Sequence, residues 1–122
     1  MANPAKQKGT SFETAIKRYL NSKGFKKAER TSLKGGDDTG DINGIQHNPT
    51  GRQLAIQCKN QRKISLSGWL DDTVSQASKL GEGSLPALVV KRAGKGDKAL
   101  GDTYVVMRLD DFVTLLDEAD YS

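Results

Sequence analysis

One cysteine, Cys58, stands in 122 residues, which excludes an internal disulfide framework. That usage fits a reducing compartment, and a cytoplasmic setting is expected. No apolar run approaches the length of about 18 residues that a membrane-spanning helix needs. The opening stretch MANPAKQKGTS has no apolar core and does not read as a secretory leader. Aromatic residues are 6% of the chain and hydrophobic residues 35%, so the core must be modest and aliphatic. The single histidine, His47, falls in a turn and suggests no site. There is no internal repeat and no break in composition. The length suits one domain that folds without a disulfide or structural metal.

Positive charge is present in excess and is unevenly spread. The net charge is +4, yet residues 1–34 alone carry nine Lys or Arg against two acids. The remainder is slightly acidic, with ten bases and thirteen acids. A basic region beside an acidic body suits a polyanionic partner. Residues 1–9 read as a flexible basic arm ahead of a single domain over 10–122.

TSFETAIKRYLNSKGF reads as the first helix, capped by Thr10 or Ser11, with Phe12, Ile16, Tyr19 and Leu20 at helical spacing and Gly24 as its stop. Glu13 then falls in the first turn, where the helix dipole favours a carboxylate. FKKAERT is a short strand and SLKGGDDTG a loop holding Asp37 and Asp38. DINGIQ and RQLAIQCKN are the two arms of a hairpin around HNPTG. On the second arm the two-residue period puts Leu54, Ile56 and Cys58 on one face and Ala55, Gln57 and Lys59 on the other. SGWLDDTVSQASKL reads as a helix capped by Ser67, with Trp69, Thr73, Gln76 and Leu80 on one face. Gln76 is weighed as polar helix surface against a helix glutamine of the site, with the surface reading preferred, and Trp69 is taken as core or interface. PALVVK is a strand buried on both sides. RAGKGDKALGD is a loop, TYVVM a strand, and LDDFVTLLDEA a closing helix with Leu109, Phe112, Val113 and Leu116 inward. The order α-β-β-β-α-β-β-α is an α/β fold, a mixed sheet flanked by helices.

The chemistry gathers where the hairpin arms meet. Its turn is centred near Pro49, so Asp41 must face residues 57 to 59. Glu13, Asp41 and Gln57 then offer oxygen ligands of the kind that hold Mg²⁺ beside waters and phosphate oxygens. A metal so held lowers the pKa of a bound water and neutralises charge developing on phosphorus. Lys59 is placed to orient that water or to stabilise the pentacovalent phosphate. For a nucleic-acid partner, Lys6, Lys8, Lys34, Arg62 and Lys63 are the expected contacts. Lys91, Arg92, Lys95 and Lys98 surround the second loop and read equally well as phosphate contacts or as solvated charge. No aromatic ladder is visible, which argues against a dedicated single-strand platform and for recognition of shape and backbone.

The segments KGTSFE (Lys8 to Glu13), GDINGI (Gly40 to Ile45) and LAIQCKN (Leu54 to Asn60), in that order, resemble the PD-(D/E)XK nucleases. Within that superfamily they are most similar to archaeal-type Holliday junction resolvases and their phage relatives. The resemblance implies a restriction-endonuclease-like core and a Mg²⁺-dependent endodeoxyribonuclease, with Mn²⁺ able to substitute. It implies metal ligation by Glu13, Asp41, Gln57 and the backbone carbonyl of Cys58, with Lys59 as the catalytic lysine. A junction needs two cuts, so the resemblance also implies a homodimer acting on branched, four-way DNA. The chain departs from the pattern twice. Gly40 stands where the family often has proline, and Gln57 stands in the acid position of acid-X-lysine. Two other readings share these residues: a nicking, restriction-like or repair nuclease of the same superfamily, and a DNA-binding module without catalysis.

Overall fold

The structure, a computed structural model, describes residues 4–31 and 38–122. Its first helix, α1 (Pro4–Ser22), starts six residues before the expected cap. Proline is favoured at the first helical position because its φ is pre-set and its missing N–H is not needed there. Ala5, Lys6, Gln7 and Lys8 are then good helix formers that carry the helix through Gly9. Thr10 and Ser11 are therefore mid-helix residues, and Glu13 lies well beyond the first turn. Residues 4–9 of the expected arm are thus helical, and Lys6 and Lys8 ride on α1. Phe12 and Ile16 are buried, and Gly24 closes the helix at φ 108°.

Two short strands follow, β1 (Glu29–Arg30) and β2 (Ile42–Asn43). β2 is cut short by Gly44. At φ 97° this residue passes so close to Lys27 that an added Cβ would sit 2.0 Å from the Lys27 carbonyl oxygen. The hairpin resumes with one bridge, Gln46 to Gln53, and returns as β3 (Leu54–Lys59). α2 (Leu66–Leu80) then crosses to β4 (Leu85–Val90), which pairs with β3 in parallel along all six residues. The N-cap of α2 is Ser65, without a side-chain capping bond, and no acid lies in its first turn. Ser67 is thus inside the helix, and Asp71 and Asp72 lie beyond its first turn. The second loop holds a short 3₁₀ segment, Asp97–Asp102, before the edge strand β5 (Tyr104–Val106) and the closing helix α3 (Leu109–Glu118).

The sheet order is β1-β2-β3-β4-β5, mixed, with only the β3–β4 pair parallel. This is the α/β, helix-flanked sheet of a restriction-endonuclease-like core, in the expected element order. One face packs Phe12 and Ile16 of α1 on Ile42, Ile56, Cys58, Ala87 and Val89. The other packs Trp69 of α2 on Leu88 and Val90. β4 is buried along its whole length, as a strand covered on both faces must be. No helix among the described residues is long and apolar enough to cross a membrane.

α3 departs from the expected packing. Leu109, Phe112 and Val113 are 75%, 48% and 53% exposed, and the buried residue of the first turn is Asp111. Arg108 explains the reversal. Its guanidinium donates to both oxygens of Asp111, at 2.8 and 3.1 Å, so the carboxylate is buried with its charge matched. The helix is held from its other end. Leu115 and Ala119 close over an apolar hollow of about 210 Å³ shared with Ile45, Leu54 and Leu85. There Glu118 accepts from Arg52 Nε and lies 3.4 Å from His47 Nδ1.

Candidate active site

The hairpin register decides where Asp41 points. Ile42 pairs with Ile56, and the Asp41 amide donates to the Ile56 carbonyl at 2.7 Å. The Asp41 side chain then reaches along β3 and accepts from the Cys58 amide, Oδ2 at 2.8 Å. Gly40 makes the approach feasible. Its φ is 104°, and even a Cβ there would lie 3.0 Å from the Ile56 carbonyl oxygen. Its amide donates to Asp38 Oδ1 at 3.0 Å. Proline could satisfy neither condition, because its φ is locked near −65° and it has no N–H. Glycine at this position is therefore a different local solution for delivering the aspartate.

Asp41 opens on a cleft of about 700 Å³ at the end of β3. The same cleft is lined by Glu13 from α1, by Gln57, Cys58 and Lys59 from β3, and by Lys6, Lys8 and Arg62. The structure thus brings together all four residues expected to do chemistry. Lys63 is exposed and does not line the cleft. Lys34 and Asp37 lie outside the described residues.

The two carboxylates are held under electrostatic stress. Burial raises the Glu13 carboxyl above its ordinary 4.5, and the charge of Asp41 raises it further. Arg30, 3.6 Å away, and Lys59 oppose that rise. Burial likewise raises Asp41 above its ordinary 3.8, against the Cys58 amide and the charge of Lys59. The Cys58 thiol faces the core and is pushed upward by burial and by both acids, so it is an inert apolar filler. Lys59 lies with its Nζ 5.7 Å from the centre of the Trp69 ring, which gives its ammonium a fixed resting place beside the acids. Trp69 is therefore more than core.

Gln57 is buried at 6% exposure, and its amide oxygen lies 2.6 Å from Thr73 Oγ1. The same hydroxyl lies 2.7 Å from the Trp69 carbonyl. A hydroxyl has one proton and cannot donate to both. Both contacts are satisfied if Thr73 donates to Trp69 and the Gln57 amide group turns over, so that its NH₂ donates to Thr73. That orientation frees the Gln57 oxygen for the cleft.

Two residues were underrated by sequence. Gln76 is not polar surface. It is 6% exposed, lines the cleft, and its NH₂ donates to Asp38 Oδ2 at 3.0 Å. Its own oxygen is buried and finds no partner among the described residues. Asp38, taken as a loop residue, is thereby tied into the cleft wall. The signal for Gln76 was its place on the Trp69–Thr73 face of the helix. No local pattern announces Asp38.

These donors fit a divalent cation. Among the described residues no three His, Cys, Asp or Glu side chains form a metal-binding group. The set is instead two carboxylates with amide oxygens, one of them an orphaned buried acceptor. All-oxygen donors suit hard cations, and two repelling carboxylates gain most from a shared positive charge.

The profile of one family, described as "Phage putative PDDEXK endonuclease", matches residues 4–121. The chain belongs to this family. No curated protein and no solved structure matches the chain. Membership in the phage PD-(D/E)XK endonucleases makes the protein a nuclease with DNA as substrate, and nucleases of this superfamily generally use divalent metals.

Proposed function

We propose that this phage endonuclease is a Mg²⁺-dependent Holliday junction resolvase that works as a homodimer, with Mn²⁺ able to replace Mg²⁺. The observation that carries the reading is the Asp41 carboxylate, held by the Cys58 amide at 2.8 Å in one cleft with Glu13, Gln57 and Lys59. Glu13, Asp41, the Gln57 oxygen and the Cys58 carbonyl would hold the metal. Bound there, it would supply an acidified water and charge neutralisation at phosphorus. Lys59 carries a fixed positive charge to the attacked phosphate. Lys6, Lys8 and Arg62 line the cleft and draw in the DNA backbone, and Lys34 and Lys63 are the further DNA contacts of this proposal. The dimer is supported by the exposed apolar side chains of α3 and β5, a surface that an isologous contact between two copies would cover.

The test is a cleavage assay on a labelled four-way junction and a linear duplex of matched sequence. Paired, symmetric nicks on the junction alone are expected, abolished by EDTA and by Asp41→Ala. Equal cutting of the duplex would replace the resolvase with a general duplex nuclease. Tight binding with no cutting in Mg²⁺ or Mn²⁺ would leave a DNA-binding module. Full activity of Asp41→Ala would overturn the site itself.

A further inference from the structure

A second groove, of about 600 Å³, adjoins the cleft and shares Lys8, Asn60, Gln61 and Arg62 with it. It runs from β3 over the end of β4 to the edge strand β5. Five bases line it, Lys8, Arg62, Lys91, Arg92 and Lys95, and no acid does. Lys95 is the most compensated of the five, 3.6 Å from Asp102. The far wall is Tyr104, 53% exposed, with the Arg92 guanidinium 5.0 Å from its ring centre. Among the described residues no other exposed aromatic ring lines either groove.

The register ties this ring to the catalytic lysine. Lys59 pairs with Val90, and Val90 pairs with Tyr104, so the three lie in one row across three strands. Two strand spacings separate Lys59 from Tyr104, about 10 Å. That is roughly three nucleotides at 3.4 Å each. The Lys91 amide also donates to the Lys59 carbonyl at 3.0 Å, so the groove wall is bonded to the catalytic strand.

A half-exposed tyrosine backed by a guanidinium offers one open ring face. An unpaired base can lie flat on it, and a fully paired blunt duplex offers none. We infer that the groove binds the DNA strand flanking the scissile phosphate, with an unpaired base stacked on Tyr104 two to three nucleotides away and the intervening phosphates held by Lys91, Arg92 and Lys95. This rests on the nuclease reading of the cleft and gives it a physical basis for preferring branched DNA. One aromatic suffices for one displaced base, so no stacking ladder is needed.

The test measures binding by fluorescence anisotropy in EDTA, where nothing is cut. The probes are a blunt duplex and the same duplex carrying a short single-stranded branch. The wild type binds the branched probe more tightly. Tyr104→Ala weakens binding of the branched probe at least about five-fold and leaves the blunt duplex unchanged, whereas Tyr104→Phe keeps the preference. Arg92→Ala weakens both probes and lowers the salt slope by about 0.7 to 0.9. An unchanged branched-to-blunt ratio in Tyr104→Ala, or no preference in the wild type, overturns the inference. Misfolding is separated by Tyr104→Phe and by melting curves, because a collapsed variant would lose both probes. Cleavage in Mn²⁺ on the same preparations separates the two readings. A Tyr104-dependent preference without cleavage would sink the nuclease reading alone, and cleavage without that preference would sink this one alone.

Discussion

Asp41 and Glu13 share a problem that a metal solves. Both are partly buried, and both have carboxyl pKa values raised above the ordinary 3.8 and 4.5. Without metal, each contributes stability that is fully present below its ordinary value and is lost as pH rises through the raised one. Two outcomes follow. In EDTA at neutral pH, Asp41→Asn should melt at or above the wild-type temperature, although its cleavage should fall by roughly 10²-fold or more. Added Mg²⁺ should raise the wild-type melting temperature at neutral pH, and this gain should fade as pH drops into the raised range, where protons compete. Melting scans with and without Mg²⁺ between pH 4 and 8 check both, and a metal-induced gain equal in Asp41→Asn would count against this ligand. Gln57→Glu makes a third test at the same scale. It should tighten Mg²⁺ binding and, in EDTA, lower the melting temperature, because it adds a buried charge to two that already repel. Titration calorimetry reads the first effect and calorimetric scans the second. Gly40→Pro should lower the melting temperature and abolish cleavage. A proline cannot adopt the φ of 104° found there.

At the scale of elements, α3 is fastened by one end and bare along one side. Arg52 on the hairpin donates to Glu118 near the end of α3, and His47 closes on the same carboxylate. Arg52→Ala should cost roughly 1.5 to 3 kcal/mol, the usual worth of a hydrogen bond to a charged group. It should also raise amide exchange in α3 well before it touches the sheet. Uniform loss of protection across the sheet and α3 would mean that the helix is not a separately loosened unit. The expected inward stripe of this helix shows where periodicity misleads. Leu109, Phe112 and Val113 have the right spacing for a core face, but spacing cannot say which layer receives the helix. Here Asp111 takes the inner position, its charge matched by the half-exposed Arg108, and the stripe is left outside. The early start of α1 was in principle readable from Pro4. The basic run with Gly9 outweighed it as a coil signal, although helix packing through Phe12 and Ile16 stabilises the turns before them.

At the scale of the whole molecule, four apolar side chains remain open on β5 and α3 outside the second groove: Val105, Leu109, Phe112 and Val113. Monomers rarely expose contiguous apolar patches beyond a few hundred Å². β5 is also one of the two edges of the sheet, and such edges are ordinarily covered. Equilibrium sedimentation of the wild type should therefore give a dimer, and Val113→Asp with Phe112→Asp should give a folded monomer. That monomer should nick a junction on one strand at a time and lose the pairing of cuts. A wild-type monomer at micromolar concentration would remove the dimer from the proposal while leaving the cleft chemistry intact.

Much of the geometry of the candidate site was legible in the chain before it folded. The two-residue period of a strand and the short hairpin turn force Asp41 opposite Gln57–Lys59, and the charge excess of the first 34 residues announces a polyanion. These are local constraints, set by backbone geometry and composition. Burial, layer choice and the meeting of distant residues are not local. Gln76 and Asp38 are 38 positions apart and meet only because α2 crosses back over the sheet. Lys59 and Tyr104 fall in one row only because β4 lies between them. Which face of α3 is wet was decided by a competition between an apolar stripe and one bidentate ion pair. Such outcomes depend on which surfaces the rest of the chain leaves available, and only the assembled molecule determines that.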